Sequence, residues 1–66
     1  MAAFIRLMNE RREQIVTILS ERARVTVNEL SEMLSVSSVT VRGDLNFLAD
    51  EGRVVRVHGG AALAKP

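Results

Sequence analysis

Between Ser37 and Asn46 the chain sets hydroxyls, one guanidinium and one carboxamide among small side chains, in the run Ser37-Ser38-Val39-Thr40-Val41-Arg42-Gly43-Asp44-Leu45-Asn46. Wound as a helix, Ser38, Val39, Arg42, Gly43 and Asn46 share one face, roughly opposite Val41, Leu45 and Leu48. The apolar trio belongs against a core. The other face carries hydrogen-bonding groups behind a slim leading end, and its chemistry is recognition rather than bond-making. Hydroxyls such as those of Ser37, Ser38 and Thr40 can meet phosphates or base edges, Val39 can meet a thymine methyl, and Arg42 can reach guanine or a phosphate. A helix with a narrow tip also suits the major groove of double-stranded DNA, ~12 Å wide. The plainer reading keeps Ser37 and Ser38 as caps and Arg42 as a solvated charge.

A second group lies downstream. Arg53, Arg56 and His58 lead along a β-branched run to Gly59-Gly60, and a glycine turn can come close to a nucleic-acid backbone. Such a hairpin can touch DNA as a wing, or simply cover the edge of the core; the two roles are compatible. Asn28, near the start of an earlier helix, joins the candidate contacts. His58 is the only histidine and there is no cysteine, so no zinc ligand set can be assembled. Ser37, Asp44 and His58 have the residue types of a hydrolase triad, but a helix and a hairpin supply no pocket to enclose a substrate. No enzyme activity, metal or cofactor is expected. Asp44 is open to two readings: a solvated helix charge, or a partner for Arg11 or Arg12 that braces the angle between two helices. Because an acid turned toward phosphates would repel DNA, its role is read as structural.

These groups need elements to hold them. Arg12, Ile15, Val16, Leu19 and Arg22 recur at helical steps, which predicts a first helix over Asn9 to Ala23, with Asn9 as N-cap and Glu10 and Glu13 in its first turn. Residues 1–8, with Phe4, Ile5, Leu7 and Met8, are either a two-turn extension of this helix or a loose arm. Val25-Thr26-Val27 reads as a very short edge strand. Thr26 or Asn28 caps a second helix through Leu34 that buries Leu30, Met33 and Leu34. Ser35-Val36-Ser37 is a tight connection, and Ser37 caps a third helix to about Glu51, ended by Gly52 in a left-handed conformation. Arg53 to His58 and Ala61 to Leu63 form a hairpin about a Gly59-Gly60 turn. The pattern is α+β: a small winged helix-turn-helix, three helices plus a C-terminal β-hairpin wing, over residues 9–63, with 64–66 opening a linker.

Sixty-six residues allow one domain, which at this size buries only ~60% of its unfolded surface. The 47% hydrophobic content is that of a folded chain, and the absence of cysteine fits a reducing cytoplasm. With two phenylalanines and no tryptophan or tyrosine, stacking platforms for single strands cannot be built. No run approaches the ~20 apolar residues of a membrane span, and no secretory pattern opens the chain. A net charge of +1 is modest for a nucleic-acid ligand. It leaves room for a rival, a winged helix used for protein–protein contact through Phe4, Ile5, Leu7 and Met8.

The central run resembles the helix-turn-helix signature of the DeoR family of bacterial repressors: Ser, two variable positions, Thr, an aliphatic, Arg, a variable position, Asp, Leu. Ser37, Thr40, Val41, Arg42, Asp44 and Leu45 match it in order. Upstream, Arg12, Val16 and Ser20 sit near the family's Arg and two aliphatic positions, while Ile15 and Leu19 satisfy the aliphatics only with a one-residue shift from Arg12, or directly from Arg11. Downstream, Gly52, Arg56, His58, Gly59, Gly60 and Ala61 resemble its wing. The resemblance spans residues 11 to 63 and implies an operator-binding domain of a homo-oligomeric repressor of sugar metabolism. It also implies an effector, a sugar phosphate, sensed by a separate domain not present in this chain. One departure stands out: the family carries a basic or polar residue between the Arg and the Asp, and this chain has Gly43, which removes a possible DNA contact.

Overall fold

In the computed structural model, which describes residues 2–64, every element places at least one side chain in the core. The first helix, α1, spans Ala2–Glu21. It buries Ile15 and Leu19, one turn apart, with Val16 and Ile18 packed at the margin. Its first two turns are largely exposed, with Phe4, Ile5 and Leu7 at 66%, 55% and 60%. Asn9 therefore lies inside the helix instead of capping it. No Gly or Pro interrupts Ala2 to Glu10, and Ala3, Leu7, Met8 and Glu10 are strong helix formers, so one Asn costs too little to start the helix there.

After a turn, β1 (Val25–Thr26) runs into α2 (Val27–Leu34). Thr26 is the cap: its hydroxyl accepts from Glu29 N at 3.0 Å, while Glu29 Oε1 accepts from Thr26 N at 2.9 Å. This reciprocal box satisfies two amides that the first turn leaves unpaired. Asn28 sits exposed just inside it. Val27 and Leu30 are buried and Leu34 partly so, but Met33, expected inside, is 46% exposed. It lies on the flank turned away from the Val27–Leu30 stripe.

Ser35 ends α2 in the left-handed region (φ 56°), and Val36 N donates to Ser31 O at 3.2 Å across the turn. Helix α3 (Ser38–Asp50) follows at once, capped by Ser37, whose hydroxyl accepts from Thr40 N at 3.1 Å. Val41, Leu45 and Leu48 are fully buried, as their spacing requires. Gly52 (φ 77°) terminates the helix and redirects the chain into β2 (Val54–Val57), which pairs with β3 (Gly60–Leu63). β3 also pairs with β1, through Val25↔Ala61 and Thr26↔Gly60, so the wing belongs to a three-stranded antiparallel sheet of order β1-β3-β2. The turn is His58-Gly59 rather than Gly59-Gly60. Gly60 already lies in β3, and a Cβ there would stand 2.2 Å from the Val25 carbonyl oxygen. Only glycine lets the two strands close to that distance. The expected linker start at 64–66 falls, for Lys65 and Pro66, outside the described residues.

One charged side chain is in the core. Asp44 is 2% exposed, and α1 supplies its partners. Arg11 Nη2 and Arg12 Nε both donate to Oδ1 at 3.0 Å, and Arg11 Nε donates to Oδ2. The carboxylate in turn raises the proton affinity of Arg11. Arg12 also lies over the Phe47 ring, 3.9 Å from its centroid, a cation–π contact to the next turn of α3. Of the alternatives open for Asp44, the brace is the one formed, with both arginines. Asp44→Ala strands two guanidiniums with little solvent to turn to, and should cost about 3 kcal/mol. For a domain this small the melting temperature should fall on the order of 15 °C. Thermal unfolding followed by circular dichroism measures this, and Asp44→Asn, which lacks the charge, should fare little better.

Candidate nucleic-acid interface

The outward face of α3 is assembled as its periodicity requires. Val39 is 74% exposed, and Arg42, Gly43 and Asn46 are exposed at the following three- and four-residue steps, with Ser38 half-buried beside them. The ion pairs among the described residues engage Arg11, Arg12 and Arg53, which leaves Arg42 and Arg56 outside them. No acid occurs from Ser37 to Gly43, and Asp44 is turned inward onto α1. The amino end of α3 thus combines the positive end of a helix dipole with unopposed donors.

Not every candidate residue is free for a ligand. Ser37 and Thr40 spend their hydroxyls on each other, at 3.1 Å, as part of the cap. Their contribution is the position of the helix tip. Arg53 reaches back to α1 and grips Glu13 in a fork, Nη1 to Oε2 at 2.6 Å and Nη2 to Oε1 at 3.0 Å. This neutralises its charge and anchors the base of the wing. Arg56, midway along β2, donates through Nη1 to Asn46 Oδ1 and through Nε to Gly60 O at 3.4 Å. A single side chain thereby ties the outward face of α3 to the wing. His58 and Gly59 are exposed at the wing's tip, whereas Gly60 is buried beneath β1 and offers no surface. Asn28 is exposed on α2 and is joined to the α3 face by no hydrogen bond among the described residues. The Glu13–Arg53 and Asn46–Arg56 contacts had no signal in the sequence, because the first links residues forty positions apart and both depend on how the sheet packs.

The arrangement is an exposed helix face and a hairpin tip joined by a shared arginine, with Arg11, Arg12 and Arg53 paired internally. A net charge of +1 is compatible with it, since the balance hides a local excess of donors. Comparison with known proteins places the chain among its kin. The family described as DeoR-like helix-turn-helix domain matches residues 11–66. The HTH-type transcriptional regulator GolR of Listeria innocua is 45% identical over 56 residues, which is 85% of this chain and 22% of the relative. The lactose phosphotransferase system repressor of Streptococcus mutans is 44% identical over 52 residues, 79% of this chain and 21% of the relative. The glycerol-3-phosphate regulon repressor of Escherichia coli K12 is 43% identical over 54 residues, 82% and 21% respectively. The chain thus spans about a fifth of the length of these relatives. No solved structure matches significantly.

Two measurements probe the supports of this surface and the surface itself without a ligand. The Arg53 guanidinium holds the Glu13 carboxyl below the usual carboxylate range, and the Thr26 backbone N–H, then its hydroxyl, does the same for Glu29. Both groups bind a proton less readily folded than unfolded. Their contribution to stability should be complete above the ordinary value of 4.5 and lost as the pH falls through the depressed one. Urea midpoints across about pH 6 to 2 should show this loss, shallower in Glu13→Gln and Glu29→Gln. Gly43 is different in kind. Nothing lies within 4 Å of the place its Cβ would take, so Gly43→Ala should stabilise the fold by up to about 1 kcal/mol through helix propensity alone. A raised melting temperature checks it.

Proposed function

This chain belongs to the DeoR-like helix-turn-helix family, and on that premise we propose that it is the operator-reading domain of a bacterial repressor of sugar metabolism. It binds double-stranded DNA in the major groove through α3, with the wing against the backbone. The observation that carries this reading is the exposed face of Val39, Arg42, Gly43 and Asn46 beside the positive end of a capped helix. Val39 offers an apolar surface to a thymine methyl, Ser38 and Arg42 offer donors to base edges or phosphates, and His58 and Gly59 meet the sugar-phosphate chain. Asn28 adds a polar contact from α2. Relatives named for the lactose phosphotransferase system and the glycerol-3-phosphate regulon support a sugar-linked operon. The effector, a sugar phosphate, acts through a domain outside this chain, and the whole protein works as a homo-oligomer in the cytoplasm. No chemistry is catalysed.

The exposed Phe4, Ile5 and Leu7 favour a second reading, a winged helix that docks another protein. Salt separates the two. With Arg53 neutralised by Glu13, phosphate neutralisation falls to Arg42 and Arg56, so the logarithm of affinity should fall with the logarithm of salt at a slope of about −2. Binding by the isolated domain should be about micromolar or weaker. Gly43→Arg should steepen the slope by about one, and Arg53→Ala should leave it unchanged. Fluorescence anisotropy on a labelled duplex gives these slopes. A slope close to zero would favour the protein-docking module.

A further inference from the structure

Resting on the DNA-binding reading, we infer that Arg56 makes Asn46 a donor-only reader, which selects guanine and rejects adenine at the base pair it faces. Free asparagine is the usual partner of adenine, because its amide offers one acceptor and two donors, and adenine's major-groove edge presents both an acceptor at N7 and a donor at N6. Asn46 is not free in that sense. The atom next to Arg56 Nη1 is its carbonyl oxygen, and the chemistry of the pair requires this orientation, since arginine has five donors and no acceptor. The amide nitrogen of this exposed residue donates to no group among the described residues, which leaves both hydrogens available.

Arg56 is itself held on the other side by the Gly60 carbonyl, so the guanidinium is fixed between the wing and α3. The carbonyl of Asn46 keeps a second lone pair, but an adenine amino group brought to it would sit beside a full positive charge. Guanine presents N7 and O6, acceptors only, and the amide hydrogens match both. Asn46 lies seven residues beyond Val39, about 10 Å along the helix axis, and so faces a different part of the site. Sequence choice at that end of the site is thus set by a residue of the wing acting through a residue of the helix. Arg56 is here a positioning residue.

Selection of bound sites from a random duplex pool tests this with the whole chain. The base pair read by Asn46 is the one whose preference disappears in Asn46→Ala. Wild type should favour guanine over adenine there by about tenfold, and Arg56→Ala should shift that same pair toward adenine by a similar factor. Asn46→Asp keeps a bond to Arg56 but has no donor, so guanine preference should vanish while the melting temperature holds; this variant decides the matter if Arg56→Ala folds poorly. Adenine at that pair in wild type, a preference unmoved by Arg56→Ala, or guanine retained by Asn46→Asp would each overturn the inference. If wild type enriches no sequence at all, the DNA-binding reading itself fails and the inference goes with it.

Discussion

A carboxylate cannot stay charged in the interior of so small a domain without partners, and Asp44 obtains two by drawing Arg11 and Arg12 across from α1. That requirement sets much of the geometry around it. Consecutive residues on a helix point about 100° apart, so two adjacent arginines can converge on one acceptor only if their helix crosses close above it. The same contact keeps Val41, Leu45 and Leu48 pressed against Ile15 and Leu19. It also turns the one acid in the first half of α3 away from the outward face. Among the described residues, no buried side-chain polar atom lacks a hydrogen-bond partner, which is what makes an ionic group tolerable in this core.

The wing depends on a second constraint, steric rather than electrostatic. Gly60 lets β3 approach β1 at the Val25 carbonyl, and this closure converts a lone hairpin, marginal in water, into a three-stranded sheet. The Glu13–Arg53 fork then fastens the start of β2 to α1. Fastened at both ends of the hairpin, Arg56 can be presented to α3 from a definite direction.

Where local chemistry decides structure, the residues foretell it well. Ser37 as a cap, Gly52 as a helix stop and the inward row Val41, Leu45, Leu48 follow from rules acting over a few positions, and each is found as expected. The wiring of helices and hairpin follows in the same way. Elsewhere local rules run out. Asn9 has the right chemistry for a cap, yet strong helix formers on both sides carry the helix past it to Ala2. Met33 has the right polarity for the core, but its direction on α2 is decided by which face meets α3. The turn is displaced by one residue at Gly60 because the demand for glycine comes from a distant strand, β1. On the outward face the exposed residues are legible from spacing alone. What Arg53 and Arg56 hold is not, since each grips a group supplied by tertiary packing.

The open space around Gly43 and the 74% exposure of Val39 have a consequence for how such a domain can diverge. The Val39 side chain is in no core contact, Gly43 has no side chain, and Arg42 is outside the ion pairs. Caps, brace and wing anchors lie at other positions. Each of these three positions can therefore be exchanged without breaking a contact that holds the fold. Exchange at Asn46 is less free, because a change there also releases Arg56 and alters two surfaces in one step.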